Sequence, residues 1–151
     1  MHGGDLYDRV VNLGGLVGRA SILSGKKEVK VNHAKDLVST ISQYGGDIIG
    51  LSLFAHGGQD GTIQMPGFYK GKDKKGNPIY DFTRETHQSF VLAAVDQNGF
   101  KLSQAYLMQC YSGFKGTYLG HQYDWASAWR SRVFGTLKIY QGLNVGGVDT
   151  E

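Results

Sequence analysis

The stretch DIIGLSLFAHGG, residues 47–58, decides how the rest of the sequence is interpreted. Residues 47–55 form a near-continuous apolar run, which is typical of a strand covered on both faces within a mainly parallel sheet. The run leads directly into His56, and Gly57 and Gly58 follow. The sequence therefore predicts a buried strand that delivers a histidine and two glycines to the edge of a sheet.

A helix is predicted directly before this strand. Its apolar positions follow the helical i, i+3, i+4, i+7 spacing and are Ala34, Leu37, Val38, Ile41 and Tyr44. Asn32 can cap the first turn, and Gly45 with Gly46 can end the last turn. The first 31 residues are cut by glycines, and only EVKV, residues 28–31, predicts a further strand there.

Two more helix and strand pairs are predicted after the histidine strand. Residues 83–100 predict a threonine-capped helix with an apolar face at Phe90, Ala93 and Ala94, which is widened by Val91, Leu92 and Val95. Another buried strand, AYLMQC (105–110), follows, and then a glycine-punctuated loop at 111–120. A helix capped by Asp124 carries Trp125 and Trp129 into the core, and LKIYQ (137–141) is the last predicted strand. This alternation predicts an α/β fold with a mainly parallel, helix-covered sheet.

The length of 151 residues indicates one domain, 1–151. Within it, residues 65–82 contain two strand-like pieces around a Lys-Gly-Asn turn and predict a small surface β-hairpin inserted into the fold. The basic stretch KGKDKKG, residues 70–76, belongs to this insertion. Because Asp73 and Asp81 dilute its charge, and the net charge is only +3, we interpret it as a solvated loop and expect no nucleic-acid partner.

The sequence also limits the compartment and the cofactors. Cys110 is the one cysteine, so no internal disulfide can form, which is consistent with a reducing compartment. Neither a signal peptide nor an apolar run of about 18 residues occurs, so we expect a cytoplasmic protein without a membrane partner. Histidine and cysteine spacings typical of metal sites are missing, as are nucleotide-binding loops, so we expect no metal and no organic cofactor.

His56 and Cys110 are the residues best placed for chemistry. Each ends a predicted buried strand, and neighbouring parallel strands bring their carboxyl ends to one edge of a sheet. A thiol is a nucleophile only as the thiolate, and a nearby histidine is a suitable base for it. Gly57 allows close approach of a substrate carbonyl, and its N–H, with that of Cys110, can hold an oxyanion. The alternative for each residue alone is structural: a buried small cysteine and a loop histidine that is satisfied by its neighbours.

Two motifs, LFAHGG (53–58) and YLMQCYSG (106–113), resemble the caspase-like, clan CD, cysteine peptidases, which include caspases, legumains, gingipains, separases and bacterial CHAT proteases. The resemblance covers roughly residues 33–141. It implies a three-layer αβα sandwich with Cys110 as nucleophile and His56 as general acid/base. It also implies an oxyanion hole made by Gly57 and the Cys110 amide, and we expect Gly58, Gln109 and Ser112 to contribute to oxyanion or substrate binding.

The sequence differs from this family in two respects. Family members have a strand and a helix before the histidine strand, for which only residues 1–31 are available here. They also select the substrate residue before the cut with a charged or polar pocket, for which Arg84, Asp60 and Asp81 are candidates.

The resulting hypothesis is a caspase-like endopeptidase that forms a thioester on Cys110 and acts on protein or peptide substrates. The chain is compatible with being part of a larger polypeptide. The alternative hypothesis is a non-catalytic caspase-like interaction module, or a domain of a larger bacterial toxin or phage protein.

Overall fold

A computed structural model of the protein describes residues 19–25, 27–31, 34–64, 69–80, 85–97, 99 and 102–144. Its strands are β1 (Arg19–Ser24), β2 (Lys27–Val31), β3 (Ile48–Phe54), β4 (His56–Gly57), β5 (Thr62–Gln64), β6 (Tyr69–Lys72), β7 (Pro78–Tyr80), β8 (Glu85–His87), β9 (Leu102–Leu107), β10 (Lys115–Tyr118), β11 (His121–Asp124) and β12 (Val133–Lys138). Its helices are α1 (Ala34–Tyr44), α2 (Gln88–Asp96) and α3 (Trp125–Arg130). The chain thus has the mixed α/β content that the sequence predicts.

The central sheet has the order β2-β1-β3-β9-β12 among the described strands. β3 pairs in parallel with β9, and β9 pairs in parallel with β12. β1, in contrast, runs antiparallel to both β2 and β3. Gly25 has φ +57°, a conformation that favours glycine, and it lies where the chain reverses between β1 and β2. The sheet is therefore mixed rather than mainly parallel, because an antiparallel hairpin forms one side of it.

Helix α1 has the predicted bounds and the predicted buried face. Leu37 and Ile41 are fully buried, and the polar residues between them are exposed or half-buried. The helix ends at Tyr44, and Gly45 follows it with φ +57°, as expected for a glycine that terminates a helix, at the start of a short 3-10 turn, Gly45–Asp47. The predicted cap, Asn32, lies outside the described residues.

Helix α2 differs from the prediction in its cap and in its buried face. Its cap is His87, whose ring Nδ1 accepts the Ser89 N–H, rather than a threonine. Phe90 is 61% exposed and Ala93 is exposed, whereas the residues that pack inward are Val91, Leu92, Ala94 and Val95. Six consecutive apolar residues leave no polar position to mark the solvent side, so the sequence pattern alone does not select the face.

The main core lies between one face of the sheet and the helices. Leu51 and Leu53 of β3 and Ala105 of β9 share a buried cluster with residues of α1, α2 and α3. Alternate residues of a strand point to opposite faces, so Tyr106 lies on the other side, in a smaller cluster with Met108 and Tyr140. In the part of the chain that the structure describes, helices contribute to the first cluster alone.

The C-terminal half contains two further differences from the prediction. The last strand, β12, begins and ends earlier than 137–141, so that Ile139 and Tyr140 are buried beyond its end. The predicted loop at 111–120 contains β10, which forms an antiparallel hairpin with β11. Trp129 is fully buried, as predicted, and Asp124 caps α3 by accepting the Ser127 N–H.

The predicted surface hairpin is present as the antiparallel pair β6 and β7, and residues 65–68 and 81–82 of the predicted 65–82 segment lie outside the described ranges. Its turn is organised by Asp73, whose Oδ1 accepts the N–H groups of Lys75 and Asn77. No helix among the described residues has the length and apolar character needed to cross a membrane.

Candidate functional site

The site begins where two neighbouring parallel strands end. In the register of β3 and β9, Leu53 lies opposite Leu107. The next residue of the second strand, Met108, donates its N–H to the Leu53 carbonyl over 2.8 Å. The two strands therefore end at one edge, and the segments that follow them are neighbours. We call residues 55–61 the His loop and residues 108–114 the Cys loop.

Gly57 brings the His loop into direct contact with the Cys loop. A Cβ placed on Gly57 would lie 2.8 Å from Cγ of Gln109 and closer still to the carbonyl oxygen of Cys110. Ordinary carbon contacts begin at about 3.5 Å, so only glycine fits between these groups. The close approach is a property of this backbone position, and it places the residue after His56 against the cysteine itself.

His56 is exposed at this edge. Its backbone is held by the short antiparallel pair of β4 with β5, in which His56 lies opposite Gln64. A cleft of about 300 Å³ opens beside it, lined by His56, Gly57, Gly58, Thr62 and Gln64. The imidazole is therefore presented to solvent from a fixed backbone, as the sequence predicts for a residue that follows a buried strand.

Cys110 is a free, half-buried thiol on the other loop. Its Sγ accepts a hydrogen bond from the N–H of Asn144 over 3.3 Å. The next residue, Tyr111, has φ +60°, in the left-handed region that residues other than glycine rarely adopt. Its N–H is bonded to the Gly142 carbonyl over 2.8 Å, which holds the strained turn in place. Backbone strain of this kind is frequent at functional sites.

Ser112 was expected near a substrate, but the structure places its side chain inside the fold. It is fully buried, its hydroxyl donates to the Leu107 carbonyl over 2.8 Å, and it accepts the Tyr140 N–H over 3.0 Å. Because both functions of the hydroxyl are used, it connects the Cys loop to the segment after β12 and is closed to a substrate.

Gln109 is also placed differently from the expectation. Its side chain is fully buried beneath Gly57, and neither its Nε2 nor its Oε1 has a hydrogen-bond partner within the described structure. Gln109 lies two residues beyond the end of β9, and its side chain packs against Gly57 rather than toward the open edge. Its amide therefore cannot contact a substrate in this conformation.

The His loop is held from behind by side chains that the sequence analysis did not assign to the site. His87 donates from Nε2 to the Asp60 carbonyl over 2.7 Å, and Trp125 donates from Nε1 to the Gln59 carbonyl over 3.1 Å. Gly61, with φ +98°, leaves no room for a side chain against Trp125. Trp125 thus supports the loop in addition to packing against the core, and nothing in its sequence spacing indicates this contact.

A row of aromatic rings connects the two loops. Neighbouring ring centroids along the row are 5.6–6.5 Å apart, a distance typical of interacting aromatic pairs. The rings are, in order, Tyr111, Phe114, Tyr123, Trp125 and His87. The row runs from the residue after Cys110 to the histidine behind the His loop, so that packed rings link the two loops.

Of the three candidates for a specificity pocket, Arg84 and Asp81 lie outside the described residues. Asp60 accepts the Thr62 N–H at its Oδ1 over 3.0 Å, and this hydrogen bond holds the pKa of the Asp60 carboxyl below its usual value. The carboxylate is thus used to shape the turn. Across the described ranges, no three His, Cys, Asp or Glu side chains gather as a metal site would require.

Comparisons with protein-family models, with curated proteins and with solved structures found no match to this chain.

Proposed function

We propose that the protein is a cysteine endopeptidase of the caspase-like kind, with Cys110 as nucleophile and His56 as general acid/base. The observation that carries the proposal is the contact of Gly57 with Cys110 at the shared carboxyl edge of β3 and β9. It brings an exposed imidazole and a free thiol to that edge from adjacent strands. A cysteine near a histidine base is a common arrangement for nucleophilic catalysis.

In the proposed mechanism, His56 accepts the proton of the Cys110 thiol, and the sulfur forms a bond to the carbonyl carbon of the substrate peptide. The C–N bond then breaks, and His56 gives its proton to the leaving amine, which leaves a thioester on Cys110. In the second half, His56 takes a proton from water while the water oxygen attacks the thioester. The carboxylic acid product departs, and the proton returns to the sulfur.

The backbone of Gly57 suits an oxyanion hole. Gly58, directly after β4, donates its N–H to the Thr62 carbonyl over 3.0 Å and so continues the register of the β4–β5 pair by one residue. In an antiparallel pair successive residues alternate in this bonding, so the Gly57 N–H is turned away from β5. We assign it, with the Cys110 N–H, to stabilise the negative oxygen of the tetrahedral intermediate. Removal of one such donor typically costs about 3 kcal/mol of transition-state stabilisation.

The proposal includes the three-layer αβα sandwich of the caspase-like fold and substrates that are proteins or peptides. It needs no metal and no organic cofactor, because the thiol and the imidazole supply the nucleophile and the proton transfer. We propose neither nucleic acid nor a membrane as a partner. The chain acts in this proposal as one domain, which can belong to a larger polypeptide.

A non-catalytic interaction module is the second candidate. The observation that favours it is the full burial of Gln109 and Ser112, two side chains that were expected to contact a substrate. In a binding module, these side chains would serve packing alone. The two candidates differ in whether the protein cleaves peptides, and in whether any cleavage requires both His56 and Cys110.

The test is cleavage of a peptide library, varied at the residue before the cut, by the wild type and by C110A, H56A and the double variant. We expect no turnover in C110A and a loss of about 10²-fold or more in H56A. The double variant should be no worse than C110A, because residues that act as a unit are not additive. H121A is the matched control, since His121 is an exposed histidine on β11. Wild-type turnover in H56A would refute the dyad.

A further inference from the structure

The segment that follows β12 closes over the Cys loop. Its carbonyls at Tyr140 and Gly142 accept the N–H groups of Gly113 and Tyr111 over 2.9 and 2.8 Å. The last described residue of the segment, Asn144, is half-buried and directs its N–H at the Cys110 sulfur over 3.3 Å. The contact with the sulfur is therefore the end of a continuous series of hydrogen bonds between the two segments.

Asn144 is fixed by its side chain as well as by its backbone. Its Nδ2 donates to the Met108 carbonyl over 2.7 Å. Met108 in turn donates its N–H to the Leu53 carbonyl at the end of the strand that leads to His56. The Asn144 side chain is thus bonded to the residue that links the ends of both strands, while the Asn144 backbone N–H is bonded to the Cys110 sulfur.

We infer that Asn144 is a positioning residue for the nucleophile: its side chain holds the backbone N–H in place, and that N–H orients the Cys110 sulfur. The inference rests on the proposed function for its catalytic meaning. The donor itself is a structural feature that alkylation of the thiol measures without any peptidase assay. The sulfur is the attacking atom toward both a peptide and an alkylating agent, so a group that orients the sulfur affects both reactions.

Three variants separate the parts of this role. N144A removes the anchor to Met108 and keeps the backbone N–H, whereas N144P removes both. N144D keeps the shape of the side chain but replaces the donor with a carboxylate that faces the Met108 carbonyl. L143A is the matched control, because Leu143 is the neighbouring residue and its side chain is 58% exposed.

The first readout is the rate constant for alkylation of the native protein by iodoacetamide at pH 7. Without the donor the sulfur is no longer held in one orientation, and because a side chain has about three staggered wells, the attacking orientation is populated about a third of the time. We expect about threefold slower alkylation in N144P, a smaller slowing in N144A and N144D, and the wild-type rate in L143A. If Asn144 were only a cover over the thiol, its loss would expose Cys110 and alkylation would become faster.

The second readout is the pair kcat and KM on any peptide that the wild type cleaves. We expect kcat to fall at least threefold in N144P and KM to stay within about twofold of the wild-type value. The reason is that the changed group contacts the sulfur rather than the substrate. Thermal unfolding of every variant identifies any that does not fold, and N144A and N144D then decide the result. If the variants are alkylated more slowly but the wild type cleaves no peptide, the positioning role of Asn144 stands and the peptidase proposal is rejected. Unchanged or faster alkylation in folded N144P, N144A and N144D would overturn the role of Asn144, whatever the peptidase assay gives.

Discussion

Replacing Gly57 with alanine tests the contact that joins the two loops. The new methyl group would lie 2.8 Å from Cγ of Gln109, about 0.7 Å inside ordinary carbon contact, and closer still to the Cys110 carbonyl oxygen. Neither neighbour can move easily, because one belongs to a buried side chain and the other to the backbone. Overpacking at such sites costs about 1–3 kcal/mol. We therefore expect G57A to lower the free energy of unfolding by about 2 kcal/mol and to separate the loops.

Urea unfolding followed by tryptophan fluorescence measures this loss, and a fall in the midpoint of thermal unfolding of about 4–8 °C should accompany it. G58A is the matched control. The nearest atom to a Cβ on Gly58 is Oδ1 of the Asp60 side chain at 3.0 Å, and no other atom comes closer than 4.0 Å. We expect G58A to remain within about 0.5 kcal/mol of the wild type. A G57A variant as stable as G58A, with unchanged alkylation of Cys110, would refute the close packing of the loops.

Two further predictions concern the supports of the site. S112A should lower the free energy of unfolding by about 2 kcal/mol, because it leaves the buried Tyr140 N–H without its acceptor, and an unchanged urea midpoint would contradict this. D124A should cost about 1 kcal/mol at pH 7 through loss of the helix cap, which a series of urea unfolding curves between pH 3 and pH 7 measures. The Ser127 N–H holds the pKa of the Asp124 carboxyl below its usual value. The contribution of the carboxylate is therefore complete above the unfolded pKa and is lost as pH falls through the folded one, so the difference from wild type should shrink below about pH 4. A difference that is as large at pH 3 as at pH 7 would contradict the capping role.

The sequence predicts those elements whose patterns are local and unambiguous. Helix α1 has one apolar face and a glycine at its end, so its bounds follow directly from spacing. The strand that leads to His56 is a near-continuous apolar run, and the strand before Cys110 was predicted from its apolar second half, although β9 begins earlier, at Leu102. Their parallel pairing follows from the helix between them. The juxtaposition of the two strand ends was therefore predictable from the sequence alone.

Features that depend on contacts distant in sequence were not predictable in the same way. Asn144 approaches Cys110 because the segment after β12 bends back over the Cys loop, and its sequence carries no pattern for that path. The direction of the side chains of Gln109 and Ser112 depends on the residue at which β9 ends. The motif around Cys110 does not specify where the strand ends. His87 has no distinctive spacing, so its hydrogen bond to the His loop could be found only in the folded chain.

The most direct test of the central claim is covalent labelling of Cys110 by a library of peptidyl acyloxymethyl ketones, read by intact mass and by mapping of the modified residue. These reagents place a peptide in the substrate site and trap an activated thiol as a thioether with loss of the carboxylate. We predict that at least one peptide sequence labels Cys110 once per chain in the wild type and in H121A, and that labelling is at least about tenfold slower in folded H56A. Equal labelling rates in H56A and the wild type, for every peptide that reacts, would contradict the proposed pairing of Cys110 with His56.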